Sequence, residues 1–164
     1  MAYLLDANTF IQAKNAYYSF EVCPGFWDWV LLKASQRVVL SVEAIQREIT
    51  AGTDRLATWA ANEAAAMFAP PDPATVAAMK LVTAWMMAQP LAEQHRAAFF
   101  AKADPLLIAH AKAHGDHVVT HEVRAGPGTT KVKVPAVCDA MGVRCLDLFH
   151  LLGSEGARFV LATP

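Results

Sequence analysis

The chain has 164 residues, 55% of them hydrophobic and 18% charged, and 14 Lys and Arg against 15 Asp and Glu give a net charge of -1. This composition suits one globular domain; it excludes a disordered polyelectrolyte and a nucleic-acid binder that relies on bulk positive charge. Three cysteines without a Cys-x-x-Cys pair exclude a four-cysteine zinc site and a disulfide framework, and fit a reducing compartment.

Residues 2–5 (AYLL) form a short apolar run of the kind that makes a strand buried on both faces. Asn8 is placed to cap a helix over 9–18, and Pro24 opens a second over 25–35 with Phe26, Val30 and Ala34 on one face. Residues 37–41 (RVVLS) read as the second strand, after which Ser41 caps a helix over 42–50 that stops at Gly52. Thr53 caps a helix that runs to Ala69, with Leu56, Trp59 and Ala60 at helical spacing. Pro70-Pro71-Asp72-Pro73 marks a turn, and helices follow over 74–89 and 91–102. A helix over 105–114 closes at Gly115, and 116–120 (DHVVT) is the third strand. Gly126-Pro127-Gly128 marks a flexible loop, Pro135 starts a short helix to Met141, and 143–146 (VRCL) is the fourth strand. The tail at 158–162 (RFVLA) is short and β-prone.

Strands alternating with helices predict a single α/β domain over 1–164: a parallel sheet with a helical insertion at about 53–102, between the second and third strands. Trp59, Trp85, Met86, Met87, Phe99 and Phe100 recur there at helical spacing, as core or as a face for a partner or a second copy. No apolar window reaches about 18 residues, and Asp6 interrupts the first run too early for a signal peptide. The expectation is a cytoplasmic protein with no membrane segment.

In open α/β sheets a ligand site lies beyond the carboxyl ends of the strands. Asp6 follows the first strand directly, Glu48 lies on the helix after the second, Asp104 begins the helix leading into the third, and Glu122 follows the third by two residues. Carboxylates gathered at one rim repel each other unless a cation compensates, and hard oxygen donors without cysteine favour Mg²⁺ or Mn²⁺. An ion held this way suits phosphodiester hydrolysis. Each acid also has a plainer role. Asp6 suits a helix cap, Glu122 a loop acid, and Glu48 a solvated helix residue, with Glu43 its rival about 140° around the same helix. Asp104-Pro105 is a helix-start pair, and Asp72-Pro73 carries the same signature with no other sign of a site. Asn8 and Thr120 are placed to orient a carboxylate, or to serve as turn residues.

Residues 3–11 (YLLDANTFI) resemble the opening of PIN domains, a hydrophobic strand that ends in Asp. Ser41 through Glu48-Ile49 and Gly52 resemble the second acidic motif of that family, 103–111 (ADPLLIAHA) the third, and 118–122 (VVTHE) the fourth, with Glu122 where Asp is usual. Tyr17-Tyr18 with 24–27 (PGFW), and 131–138 (KVKVPAVC), resemble the narrower DUF4411 branch of PilT N-terminus-like domains. The ordered set spans nearly the whole chain. The resemblance implies a PIN fold, with a parallel sheet of order 3-2-1-4-5 and helices on both sides. It implies a ribonuclease dependent on Mg²⁺ or Mn²⁺, of the VapC toxin kind, held in check by an antitoxin protein and often dimeric. It implies Asp6, Glu48, Asp104 and Glu122 as the metal-binding catalytic acids, with Asp6 and Asp104 on the main ion. Asn8 and Thr120 then orient them, and Arg124, Lys131 and Lys133 steady the RNA backbone.

Three other readings stay open. Residues 6–9 (DANT) resemble the Asp-x-Asp-x-Thr motif of haloacid dehalogenase-type phosphatases, with Asn8 in place of the acid that protonates the leaving group. His110 and His114, four apart on a helix, have zinc-chelating spacing, and His117 and His121 follow beyond Gly115. A PIN scaffold that binds RNA or a partner without cutting is the third, and the full set of four acids speaks for cleavage over it. Cys138 and Cys145 read as small buried hydrophobes.

Overall fold

A computed structural model describes residues 1–124, 126 and 131–161. Among them, five short strands form one parallel sheet: β1 (Tyr3–Leu5), β2 (Val39–Val42), β3 (Phe68–Ala69), β4 (His117–Val119) and β5 (Cys145–Leu146), in the spatial order β3-β2-β1-β4-β5. The order 3-2-1-4-5 and the flanking helices are those implied by the resemblance. Leu4, Leu5, Val39, Leu40, Val118 and Val119 are all buried, so the central strands need apolar side chains on both faces. Tyr3 lies opposite Val39 on one side and His117 on the other, so the carboxyl ends of β1, β2 and β4 finish together at one edge.

The helices are α1 (Ala7–Gln12), continued by a π-helical turn (Ala13–Tyr17), then α2 (Pro24–Ser35), α3 (Glu43–Thr50) and α4 (Arg55–Asn62). After β3 come α5 (Pro73–Met87), α6 (Glu93–Phe100) and α7 (Asp104–His114), and then α8 (Val134–Met141) and α9 (Leu148–Ser154). Gly115 closes α7 as expected, in the left-handed conformation at φ 69°. Trp59, Met86 and Phe99 are buried in the core, Trp85 and Phe100 pack against it, and Met87 is exposed. The insertion therefore contributes mainly to the core. Among the described residues no helix is long and apolar enough to cross a membrane.

Several local expectations give way. The helix expected to reach Ala69 ends at Asn62; a 3-10 turn (Ala65–Met67) follows, and Phe68–Ala69 pairs with Ser41 and Val42 as the edge strand. The gain is a buried Phe68 and a partner for the open side of β2. Three capping assignments also move. Helix α1 begins at Ala7, so Asp6 takes the cap in place of Asn8, accepting from the Thr9 N–H. Strand β2 continues through Ser41, whose hydroxyl donates to the Leu5 carbonyl at 2.7 Å and ties two strands together. Asp54 caps α4 in place of Thr53 and also pairs with Lys14. Residues 158–161 of the tail are not a strand; Phe159 packs on Tyr18 and Phe26, with ring centroids 5.7 and 6.1 Å away. Ala162, and most of the loop expected at Gly126-Pro127-Gly128, lie outside the described residues.

Candidate active site

Asp6 is fully buried where β1 turns into α1. Its Oδ1 accepts from Thr9 N at 2.6 Å, its Oδ2 accepts from the Thr120 hydroxyl, and its own N–H donates to Val119 O at 3.1 Å. Burial raises its pKa, the bonds from Thr120 and Thr9 pull the other way, and the nearby Glu122 charge adds to the rise. With both oxygens bonded and no exposure, Asp6 acts as a nucleophile or as a ligand only by giving up one of these bonds. Thr120 carries the Asp6 contact into the next loop, because its Oγ also accepts from Glu122 N at 3.0 Å. One hydroxyl therefore orients both Asp6 and the backbone at Glu122.

The other acids seat on helix starts. Glu48 reaches from α3 and accepts from Ala103 N at 2.6 Å, taking one of the N–H groups that the beginning of α7 leaves unpaired. Glu43, its rival, faces Arg47 at 3.6 Å. Glu122 accepts from Val134 N at 2.9 Å, at the start of α8, with Lys133 Nζ 3.6 Å from its other oxygen. The positive ends of α1, α7 and α8 thus each receive a carboxylate, which lessens the mutual repulsion of the acids.

Asp104 differs. It is buried as the first residue of α7, and among the described residues its carboxylate accepts no hydrogen bond. Lys102 Nζ lies 3.8 Å away. Burial pushes its pKa up to about 6, and the charges of Asp6, Glu122 and Glu48 push the same way against the pull of Lys102. All four acids therefore share one electrostatic neighbourhood centred on Asp104.

This donor set fits a hard dication: oxygen ligands, excess negative charge, and one buried carboxylate without a bond. The acids as they stand are turned onto backbone N–H groups, and among the described residues no three His, Cys, Asp or Glu side chains converge closely enough to grip an ion. The same observation leaves the histidine series without a zinc site. His110 Nδ1 lies 3.1 Å from Thr75 Oγ and His114 Nε2 lies 2.9 Å from Asp72, two pairings that join α5 to α7.

A cleft of about 640 Å³ opens from Thr120 and Glu122 toward Arg144, Asp147 and Phe149. Asp147 was missed in the sequence, although it follows β5 as Asp6 follows β1; the same strand-end rule finds it. It caps α9 through His150 N at 2.8 Å. Asn8 is half-buried and makes no side-chain hydrogen bond among the described residues. Arg124 lines the cleft but is held by Asp139 through two bonds of 2.9 and 2.8 Å. Lys131 sits apart from the cleft, near His95, Phe99 and Lys102.

A family model described as a domain of unknown function, DUF4411, matches residues 3–159. The chain belongs to the DUF4411 family. Among solved structures, the chain is similar to one in the crystal structure of VapBC2 from Rickettsia felis bound to a DNA fragment from their promoter. The identity is 12%, the TM-score 0.55, and the match covers 90% of this chain and 98% of the other. At that identity the likeness shows the fold, which is PIN-like. No curated protein matches.

Proposed function

We propose that this DUF4411 protein is an endoribonuclease dependent on Mg²⁺ or Mn²⁺, and the toxin member of a toxin–antitoxin pair. The observation that carries the reading is the buried, unbonded carboxylate of Asp104 within the shared field of Asp6, Glu122 and Glu48. Keeping Asp104 charged beside the other three acids costs stability, and a cation would compensate that cost.

Asp6 and Asp104 would hold the main ion, with Glu48 directly or through water. A dication there supplies charge neutralisation at the phosphate oxygens and a lowered pKa for water. Thr120 keeps Asp6 from rotating and sets the course of the loop that carries Glu122. Glu122 would hold a second ion or the attacking water, and Lys133 beside it would offer a positive charge to the RNA backbone. Asn8, whose side chain is uncommitted among the described residues, is placed to orient a ligand of Asp6.

The neighbouring fold comes from a complex named as VapBC2 on promoter DNA, and the proposal extends that assembly to this chain: a protein antitoxin that blocks the site. The deciding experiment incubates single-stranded RNA with the wild-type protein and with Asp104→Asn, in Mg²⁺, in Mn²⁺ and in chelator. Cleavage by the wild type in metal alone is expected. RNA that stays intact under every condition overturns the reading.

A further inference from the structure

Tyr17 ends the π-helical turn with its side chain half exposed, at 48%, and Phe149 on α9 is exposed to the same degree. Both touch His121, in the loop after β4. The Tyr17 ring stacks on His121 at 5.7 Å and 28°, meets Phe149 edge-on at 5.1 Å and 83°, and Phe149 meets His121 at 6.0 Å and 70°. Three rings from three separate segments thus form one cluster. His121 and Phe149 line the 640 Å³ cleft together with Thr120 and Glu122. In the chain His121 lies between Thr120, whose hydroxyl donates to Asp6, and Glu122, so the cluster adjoins the acids through these two neighbours.

The cluster is poorly built as permanent core. Tyr17 and Phe149 are each about half exposed, and the Nε2 atom of His121 is buried with no hydrogen-bond partner among the described residues. A buried nitrogen left unmet costs free energy that a polar ligand would recover by bonding to it. The rim also carries Arg144, exposed and without an ion pair among the described residues. An occupant of this place needs a flat π face for Tyr17 and Phe149, a polar edge for His121, and a negative charge for Arg144. A nucleotide has all three.

We propose that Tyr17, His121 and Phe149 form a nucleobase subsite that stacks the base of a nucleotide next to the scissile phosphate, with Arg144 steadying a flanking phosphate. The proposal deepens the ribonuclease reading and rests on it. Base stacking on aromatic side chains is tolerant of sequence, so the subsite fixes register along single-stranded RNA more than it selects a base; the His121 edge adds what selectivity there is.

The test measures binding of fluorescein-labelled single-stranded RNA, about ten nucleotides long to span one such site, by anisotropy in chelator. Cleavage of the same RNA in Mn²⁺ is followed in parallel. Tyr17→Ala and Phe149→Ala are each expected to weaken binding about 5- to 100-fold and to raise KM more than they lower kcat. Tyr17→Phe keeps wild-type binding. Tyr17→Leu keeps apolar area but loses the π face, so it binds weakly while its thermal unfolding stays near that of the wild type. An abasic nucleotide at the position next to the cut weakens binding to the wild type and adds nothing to Tyr17→Ala, the mark of a shared contact. If the wild type cleaves RNA and the alanine variants bind it equally well, the subsite is overturned and the nuclease stands. If the variants lose only the grip of a protein partner, the rings are a protein contact and the subsite is overturned. If the wild type neither binds nor cleaves RNA, both readings fall together.

Discussion

Two Asp-Pro pairs start two helices in this chain, and they behave in opposite ways. Asp72 precedes α5 as its cap: its carboxylate accepts from Thr75 N at 2.7 Å, is partly exposed, and pairs with His114. Those Thr75 bonds, with the His114 charge behind them, hold its pKa down to about 2. Asp104 sits one position further along, inside the first turn of α7, where its pKa rises to about 6. The cap's work at α7 passes to Glu48, which reaches across from α3 to the Ala103 N–H. One residue of helical frame thus separates an acid bonded to its own helix from a buried acid whose carboxylate faces Lys102 and accepts no hydrogen bond among the described residues.

The sharpest break in the comparison is Asp104→Asn. In Mg²⁺ or Mn²⁺ it is expected to lower RNA cleavage by about 100-fold or more, because it removes the carboxylate most exposed to the shared field. The same variant should unfold at a higher temperature than the wild type at pH 7 in chelator. A carboxyl raised from 3.8 to about 6 binds its proton more tightly in the fold than in the unfolded chain, so its ionisation opposes folding as the pH rises above about 4. The penalty is absent below about pH 4, grows between pH 4 and 6, and then levels at on the order of 2–3 kcal/mol. Melting curves of both proteins from pH 4 to 7 in chelator therefore converge at the acid end. Curves that stay parallel would mean that Asp104 is not strained in this way.

Thr120→Val tests the shared hydroxyl next. It leaves an oxygen of buried Asp6 and the Glu122 N–H without their partner, and is expected to cost about 1–3 kcal/mol in chemical denaturation and about 10- to 100-fold in cleavage. Thr120→Ser, which keeps the oxygen, should recover most of both. Glu48→Ala uncaps α7 at about 1 kcal/mol and lowers cleavage about 10-fold. Glu48→Gln keeps an acceptor for Ala103 N and separates the loss of the bond from the loss of the charge.

The comparison also marks where sequence reading stops. Short apolar or β-branched cores within 2–5, 37–41, 116–120 and 143–146 were enough to find β1, β2, β4 and β5; β1, β2 and β4 are largely buried, whereas β5 is only half-buried at the edge. Edge strand β3 was not legible: Ala64-Ala65-Ala66-Met67 reads as helix, and two residues leave no period to detect. Strand-end position located Asp6 and Thr120. It did not separate Glu48 from Glu43, since that depends on how α3 lies against the start of α7, a tertiary fact. Nor did it separate the two Asp-Pro pairs, whose local sequences carry the same signal. The Tyr17, His121 and Phe149 cluster escaped for the same reason: its members come from three segments with no common spacing.

Asp72 supplies the smallest expected effect and the control for all the others. Asp72→Asn keeps an oxygen to accept from Thr75 N, and Asn caps as well as Asp, so only the charge beside His114 is lost. Asp72→Ala loses the bond too, and should melt below Asp72→Asn, which in turn lies at or slightly below the wild type. The sign is opposite to Asp104→Asn. A carboxyl lowered from 3.8 to about 2 stabilises the fold above about pH 4 and loses that contribution as the pH falls toward 2. The deficit of the alanine variant should therefore shrink in acid, where that of wild type against Asp104→Asn also vanishes, but from the other side. Neither Asp72 variant should change RNA cleavage. A loss of cleavage there would mean that the spacing between α5 and α7, not the carboxylates, governs the activity, and the distinction between the two Asp-Pro pairs would fail.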